Sequence, residues 1–351
     1  MCIRDSKAKN VELACINTDA QALDLMQAPN RLCIGPATTN GLGSGGDPSM
    51  GWKAAEESRE EIEDLVGDAD MVFVAGGMGG GTGTGAAPIV AELAREAGAL
   101  TVGVVTKPFS FEGKSRMSIA EEGLQLLVEH VDTLITIDNN RLLDACEYDL
   151  PMSDAFGMVD DVLAQGVHAI SDIINVPGEI NVDFADVRNV MQDGGHSLMA
   201  IGTGEGEDRM IKATTQALSS PLLESSFQGA TGVLLNISGG DDLTLGETNR
   251  AAELLGRASN PDALVIFGVV RDKELEGRVR ITLIATGLEM GDMGEDLPKG
   301  RVITSRAREA PPALRERANG RGNGLRRGRN GSRFGGLFKR RPGTRMSNAF
   351  R

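Results

Sequence analysis

The chain has 351 residues and a net charge of −14, and this length provides for about two domains with sizeable cores. Its four cysteines lack C-x-x-C spacing and its three histidines are scattered, which argues against a zinc site or a disulfide framework. No apolar run approaches the length of a membrane span and no signal-peptide core is evident, so we expect a cytoplasmic protein.

The amino-terminal part predicts a strand, a glycine-rich loop and a helix. Residues 1–10 fit no later pattern, whereas residues 11–16 form an apolar run typical of a buried strand. A glycine-rich loop at residues 41–48 leads into a helix predicted over residues 49–66. Taken alone, this loop is also compatible with a surface turn.

A second glycine loop, residues 79–85, follows an apolar run at 71–75 and precedes a helical pattern at 86–97. A strand, a glycine loop and a helix start in this order are typical of a phosphate site, because backbone N–H groups and the helix dipole face the anion. Glycine lets the backbone approach the phosphate closely. We therefore predict a nucleotide site here rather than a turn without a ligand.

Two other kinds of phosphate loop fit this stretch poorly. A P-loop ends in Gly-Lys-Ser/Thr, but no lysine lies between Lys53 and Lys107. The dinucleotide pattern G-x-G-x-x-A begins at Gly81, but the strand predicted over residues 101–105 is not followed by the acid that would bind the ribose. A nicotinamide-dependent oxidoreductase is therefore the weaker alternative.

The rest of the chain continues the alternation of strands and helices, which predicts a parallel sheet with helices on both faces. Residues 153–175 predict one long helix, capped by Ser153 or Asp154 and ended by Pro177-Gly178. Beyond this helix we predict a second α/β domain with its own sheet. Its strands and helices are predicted at residues 197–202, 208–219, 232–237, 246–258, 264–270 and 279–285.

Four stretches carry a specific combination of motifs. They are residues 75–88 (AGGMGGGTGTGAAP), 17–23 (NTDAQAL), 106–114 (TKPFSFEGK) and 181–187 (NVDFADV). Together they resemble the tubulin-like GTPases, in the form found in the FtsZ family. The resemblance implies a Rossmann-like GTP-binding domain, a long central helix, a second α/β domain and a filament-forming GTPase of bacterial cell division. A second reading is a filament protein that binds GTP but turns it over poorly.

By resemblance, the two glycine loops bind the phosphates of GTP or GDP, and Glu112 with Arg116 binds the ribose and phosphate end. The alternative for this pair, four residues apart, is a surface ion pair. Mg²⁺ would be bound mainly through the phosphates, without a predicted protein ligand. The predicted phosphate-binding residues are Ser44, Gly45, Gly46, Gly79, Gly80, Gly81, Thr82 and Gly83.

The same resemblance implies which residues contact the guanine base. Asn139 follows a predicted strand end and resembles the family's guanine contact, and Phe156 would stack on the base. Asp161 is favoured for guanine because a carboxylate can accept two hydrogen bonds from it. Asp160 departs from the asparagine that is usual in the family, and the two adjacent acids could instead form a solvated face.

Asn181, Asp183 and Asp186 lie far in sequence from the glycine loops. Taken alone they form an acidic helix start, which the helix dipole favours. By resemblance, this loop reaches the nucleotide site of the next subunit, where Asp183 and Asp186 orient the water that attacks the γ-phosphate. Hydrolysis would then require head-to-tail assembly into a homopolymer.

The two ends of the chain carry further expectations. The family's first strand and first glycine loop are expected upstream of residue 11 and are not matched, which predicts weakened GTP binding. Residues 299–351 hold 16 Lys/Arg and 2 Asp/Glu, a net charge of +14 that leaves −28 for the rest of the chain. We expect a disordered tail from residue 291, open to contact with nucleic acid or anionic lipid.

The predicted organisation therefore has five parts. They are an unmatched segment (1–10), the GTP-binding domain (11–152), the central helix (153–178), the C-terminal α/β domain (179–290) and the basic tail (291–351). The resemblance implies membrane-tethering proteins of the division ring as partners and a place at the mid-cell division site.

Overall fold

The structure is a computed structural model that describes residues 11–144, 151–176, 178–180, 182–220, 222–223 and 229–288. The predicted α/β alternation is confirmed. The elements of the first half are β1 (Ala14–Asn17), α1 (Ala20–Asp24), β2 (Asn30–Cys33), α2 (Pro36–Thr39), α3 (Pro48–Glu57), α4 (Arg59–Val66), β3 (Met71–Gly77), α5 (Thr82–Glu96), β4 (Leu100–Lys107), α6 (Lys114–Leu127), β5 (Thr133–Asp138) and α7 (Asn139–Asp144). Those of the second half are α8 (Met152–Asn175), α9 (Phe184–Met191), β6 (Gly195–Glu205), α10 (Arg209–Leu218), β7 (Gly232–Gly239), α11 (Leu245–Ala258), β8 (Leu264–Arg271) and β9 (Arg278–Thr286).

Seven strands form one sheet in the order β3-β4-β5-β6-β9-β7-β8. β3, β4, β5 and β6 run parallel, and β9 is antiparallel to both of its neighbours. The expected separate sheet of the second domain is therefore wrong, because Thr133–Ile135 of β5 pair with Gly195–Ser197 of β6 and join the two halves. This pairing depends on contacts between segments some 60 residues apart, which a local pattern does not specify.

β1 and β2 form a separate parallel pair. Their side chains nevertheless belong to the same layer as the main sheet, because Ile16 and Leu32 pack with Val72 of β3 in one core. Helices α3, α4 and α5 cover this core. Its buried members are Ile34, Ala54, Ala55, Ile62, Val66, Ala86, Ile89, Leu93 and Ala94.

The helix predicted over residues 49–66 is broken into α3 and α4 at Ser58. Ser58 is buried, and its hydroxyl oxygen accepts a hydrogen bond of 3.1 Å from the backbone N–H of Gly35. The polar side chain thus satisfies a buried donor of another segment, and the single-helix prediction is wrong at this residue.

The long helix α8 is confirmed and spans about 36 Å at 1.5 Å per residue. Its apolar face, including Val159, Leu163 and Ile170, packs into the main core. The capping prediction is wrong: the helix begins at Met152 after Pro151, without a side-chain cap, and Ser153 bonds Asp154 instead. Within the described residues, no helix is long and apolar enough to cross a membrane.

Candidate nucleotide site

The loop between β3 and α5 is shaped by close backbone packing. Gly79 adopts a φ of +94°, and a Cβ there would lie 2.7 Å from the carbonyl oxygen of Arg116. The Gly79 N–H donates to Thr84 Oγ1 at 2.9 Å, so the first turn of α5 fixes the loop. By contrast, a Cβ on Gly80 would meet no heavy atom within 4 Å. The loop is therefore tight against the protein at Gly79 and open at Gly80.

The first glycine loop packs against the second one. A Cβ on Gly81 would collide with Ser44 Oγ and lie 2.8 Å from the backbone nitrogen of Asp47. Three hydroxyls meet at this contact: Thr82 Oγ1 lies 2.6 Å from Thr18 Oγ1 and 3.1 Å from Ser44 Oγ. The structure thus brings the two predicted phosphate loops together. Thr18, which sequence reasoning did not single out, joins them from the end of β1.

Gly45 and Gly46 leave open space beside this contact. Their φ angles are +62° and +76°, and a Cβ on either would meet nothing within 4 Å. They line a cavity of about 450 Å³ that Trp52, Thr84 and Glu122 also line. Successive residues with positive φ next to a void let an anion approach backbone N–H groups, so these glycines fit a phosphate.

The loop after β4 supplies Glu112 and Arg116. Glu112 accepts from the backbone N–H of Phe109 at 2.9 Å and contacts Arg116 Nη1 at 3.0 Å. The surface ion pair named as an alternative is therefore formed, and Arg116 remains half exposed. Because Arg116 also lies against Gly79, the pair stands at the rim of the phosphate loops. A ligand there would meet a guanidinium already oriented by a carboxylate.

Three phenylalanines connect this loop to the start of α8. Phe109 is buried, and its ring stacks on Phe111 with centroids 5.0 Å apart and meets Phe156 edge-on at 5.3 Å. Phe111 and Phe156 keep 58% and 39% of their surface exposed. Exposed aromatic rings held by a buried one offer a rigid platform for a planar group.

Asn139 lies in the interior at the carboxyl end of β5, only 4% exposed. Among the residues that the structure describes, its Oδ1 has no hydrogen-bond partner, although buried polar atoms are nearly always bonded. Its neighbour Asn140 accepts from the Ser110 N–H at 2.8 Å and so fixes this edge to the β4 loop. An orphaned acceptor beside the aromatic platform fits a ligand that carries N–H donors.

Asp160 and Asp161 are both exposed on α8. Asp160 lies four residues after Phe156 and therefore on the same helix face, whereas Asp161 lies about 100° further around. The sequence argument favoured Asp161, but the helix geometry places Asp160 closer to the line of the aromatic ring.

Asp183 and Asp186 lie at the other end of the sheet. Asp183 caps α9 by accepting from the Asp186 N–H at 2.8 Å, and both residues are exposed. α9 is held to the amino ends of the strands, since Arg188 donates to the carbonyl of Asp70, just before β3, and Thr133 Oγ1 donates to the carbonyl of Met191. Asn181, the third predicted catalytic residue, lies outside the described residues.

The separation can be estimated from β3 itself. Its seven residues span about 23 Å, with Asp70 before the strand and the glycine loop after it. The structure therefore joins the phosphate loops, Arg116, Phe156 and Asn139 at one end of the molecule, and it does not bring Asp183 or Asp186 to them.

Two family models match this chain. The model of the Tubulin/FtsZ family GTPase domain matches residues 4–147, and that of the FtsZ family C-terminal domain matches residues 195–289. An FtsZ dimer from M. jannaschii is 42% identical, with a TM-score of 0.79 over 86% of this chain and 89% of that one. A tryptophan-to-tyrosine point mutant of M. jannaschii FtsZ is 45% identical, with a TM-score of 0.76 over 80% and 86% of the two chains.

A more distant structure shares the fold alone. The GTPγS-bound protofilament of CetZ2 from Haloferax volcanii is 23% identical, with a TM-score of 0.68 over 79% of this chain and 84% of that one. Both FtsZ structures match four fifths or more of this chain at more than 40% identity. The chain belongs to the Tubulin/FtsZ family of GTPases.

Proposed function

We propose that this protein binds GTP, forms head-to-tail filaments in cell division, and hydrolyses GTP in a site that the next subunit completes. The observation that supports the last step is the placement of Asp183 and Asp186 at the amino ends of the strands, opposite the glycine loops. A single chain cannot bring these carboxylates to its own phosphate loops, because about 23 Å of β3 lies between them.

In the proposed site the phosphates lie against the two packed glycine loops. Gly45, Gly46 and Gly80 offer backbone with free space beside it, and Thr82 opens α5, whose N-terminal dipole favours an anion. Arg116 adds positive charge at the rim. Loops with these features hold phosphate by position and charge, without a side chain that reacts.

Guanine recognition is assigned to residues at the carboxyl end of β5 and at the start of α8. Phe156 would stack on the base, and the unbonded Oδ1 of Asn139 would accept a hydrogen bond from it. A carboxylate on α8 would accept from guanine's N1–H and exocyclic amine, a pair of donors that adenine lacks. We assign this role to Asp160, which shares the helix face of Phe156, and retain Asp161 as the alternative.

In this proposal Mg²⁺ would bind mainly through the phosphate oxygens of the nucleotide. The ion would supply neutralisation of charge on the phosphates during transfer. The chain's own contribution is to hold the nucleotide in one position and orientation.

The next subunit would contribute its α9 start. One oxygen of Asp183 already caps the helix, so Asp183 fixes the loop, while the exposed carboxylate of Asp186 can face a water molecule. Positioning a water against the γ-phosphate is the main requirement for phosphoryl transfer, and a loop from another subunit can meet it. A contact between opposite ends of identical subunits is heterologous and does not close, so it produces a filament.

The first test removes the carboxylate of Asp186. Asp186→Ala should keep GTP affinity and filament formation but lose hydrolysis by about 10²–10⁴-fold, the usual contribution of a positioned acid or base. Asn189→Ala, at an exposed position of the same helix, is the matched control and should behave like the wild type. Turnover at the wild-type rate in Asp186→Ala would remove this residue from the mechanism.

The second test asks whether the site is shared. Gly80→Val should block the phosphate loop, because a Cβ at this position meets no heavy atom within 4 Å and the added side chain enters the open space; its α9 start stays intact. Neither Gly80→Val nor Asp186→Ala should hydrolyse GTP alone, but a mixture should regain turnover at interfaces that combine the intact halves. Failure to regain turnover at any mixing ratio, with both variants folded, would contradict a site completed in trans.

Two further assignments extend this function. We place the protein at the mid-cell division site in the cytoplasm, with membrane-tethering proteins as partners of the segment beyond residue 290. A filament protein with little turnover is the remaining alternative within the family. Measuring steady-state GTP hydrolysis against protein concentration separates the two, since assembly-dependent hydrolysis rises steeply above a threshold and a poor GTPase stays slow throughout.

A further inference from the structure

The cavity of about 450 Å³ beside the first glycine loop is lined by residues of three helices, α3, α5 and α6. A Cβ on Gly85 of α5 would lie 2.6 Å from the backbone nitrogen of Trp52 in α3. A Cβ on Gly123 of α6 would collide with the side chain of Thr84 in α5. α5 therefore packs closely against both other helices, and all four residues line the cavity. Its volume lies within the range of about 300–1,000 Å³ that is typical of small-molecule sites.

One face of α6 supplies much of this lining. The residues concerned lie three, four, seven and eleven positions after the first of them, which places them on the same side of the helix. They are Ser115, Ser118, Ile119, Glu122 and Leu126. Along the helix axis this row covers about 16 Å at 1.5 Å per residue, so the cavity extends well beyond the length of one phosphate group.

The lining beyond the glycines favours a cation over an anion. Trp52, Ile119 and Leu126 supply apolar surface, whereas Asp47 and Glu122 supply carboxylates. No lysine, arginine or histidine is among the described residues that line the cavity. A phosphate group in this part would be repelled by the carboxylates, whereas an ammonium group is attracted both by a carboxylate and by the face of an indole ring.

Glu122 can bind an ammonium group directly. It is exposed, and none of the basic side chains that the structure describes forms an ion pair with it. By contrast, Glu112 contacts Arg116 at 3.0 Å. Asp47 is held in place, because one of its carboxylate oxygens accepts from the backbone N–H and the hydroxyl of Ser49 at 2.9 and 2.8 Å. An ammonium group at Glu122 would therefore form a charge-assisted hydrogen bond without breaking an ion pair.

We propose that this cavity is a second ligand site, which binds a small organic cation that carries an apolar ring. The ring lies against Trp52, Ile119 and Leu126, and the ammonium group binds Glu122. The ligand class is therefore that of primary amines with an aromatic or aliphatic group, which are charged at neutral pH.

The site is separate from the contacts assigned to the base and the ribose of the nucleotide. Glu112, Asn139 and Phe156 are not among the residues that line the cavity. Gly45 and Gly46 line it and are also proposed phosphate contacts, so the cation lies beside the phosphates and not in their place. The inference does not rest on the proposed function, because binding of the cation can be measured without nucleotide.

The fluorescence of Trp52 tests the proposal, since this residue is the chain's only tryptophan and lines the cavity. The full-length, nucleotide-free chain is titrated with 4-phenylbutylamine and with the neutral alcohol of the same shape, 4-phenylbutanol. The amine should shift the emission of Trp52 with a Kd below about 1 mM. The alcohol should bind about fivefold more weakly, because it lacks the charge that attracts Glu122.

Three variants test the assigned contacts. Glu122→Gln should weaken binding of the amine about fivefold and leave that of the alcohol unchanged, because it removes only the charge. Glu121→Gln is the matched control: it removes the same charge from the neighbouring position of α6, outside the lining, and should bind the amine like the wild type. Ser118→Phe should block both probes, because its ring enters the cavity. Urea unfolding checks that all three variants fold.

Three results would overturn the proposal. One is an unchanged emission of Trp52 with both probes, and another is equal affinity for the amine in Glu122→Gln and in the wild type. The third is displacement of the amine by GTP, which would make the cavity part of the nucleotide site. An amine that stays bound at saturating GTP, and whose affinity falls in Glu122→Gln and Ser118→Phe but not in Glu121→Gln, would establish the second site.

Discussion

The packing of the two glycine loops predicts that alanine substitutions at two neighbouring glycines affect the stability of the fold differently. A Cβ on Gly81 would meet Ser44 Oγ and, at 2.8 Å, the backbone nitrogen of Asp47, so Gly81→Ala must push the loops apart. Overpacking of this kind costs about 1–3 kcal/mol of folding free energy. A Cβ on Gly80 would meet nothing within 4 Å, so Gly80→Ala should leave the stability within about 0.5 kcal/mol of the wild type.

GTP affinity, unlike stability, should fall in both variants. The space beside Gly80 is where we place a phosphate, so Gly80→Ala should weaken GTP binding although it folds normally. Gly81→Ala should weaken binding as well, because it separates the loops that share the anion. Urea unfolding gives the stability, and calorimetric titration with GTP gives the affinity.

Either of two outcomes would refute this reasoning. Wild-type stability in Gly81→Ala would mean that the loops are not packed as closely as the Gly81–Asp47 approach indicates. Wild-type GTP affinity in a folded Gly80→Ala would mean that the open space at this glycine is not occupied by a phosphate. Gly256→Ala, at an open position on α11 away from the proposed site, controls for the general effect of replacing a glycine.

Two other predictions concern specificity and stability. Asp160→Ala should lose the preference for GTP over ATP in competition binding while Asp161→Ala keeps it, and the reverse result would move the role to Asp161. Arg209, 7% exposed, bonds Glu247 at 2.7 Å and Asp242, so Arg209→Met should cost about 3 kcal/mol in urea unfolding at neutral pH. The Arg209 guanidinium lowers the pKa of Glu247 from 4.5 to about 2, so this stabilisation is complete above pH 4.5 and is lost as the pH falls towards 2. The difference between wild type and variant should therefore shrink on acidification, and a constant difference would contradict the assignment.

Much of the site could be predicted because its signals are local. The loop at residues 79–85 combines a strand, glycines and a helix start within one short stretch, and the structure places them at the carboxyl end of β3 as expected. The long helix could be predicted equally well, since its apolar residues recur at helical spacing. Both patterns depend on backbone geometry that neighbouring residues determine.

Other features depended on distant segments and escaped prediction. The break at Ser58 serves the buried N–H of Gly35, and Thr18 joins the site through a hydroxyl 64 positions away in sequence. The continuity of the sheet rests on the pairing of β5 with β6. The sequence around a polar residue does not indicate a hydrogen-bond partner in a distant segment. Hydrogen bonds of this kind can therefore be identified only in the folded structure.

The distance between the proposed catalytic acids and the glycine loops could not be predicted for the same reason. The family motifs, the glycine loops and the acidic start of α9 can be identified in the sequence. The position of Asp183 and Asp186, at the opposite end of β3 from the loops, follows from the fold, because Arg188 and Thr133 hold α9 to the amino ends of the strands. Distance along the chain does not give distance in space, since α8 carries the chain about 36 Å from one end of the molecule to the other.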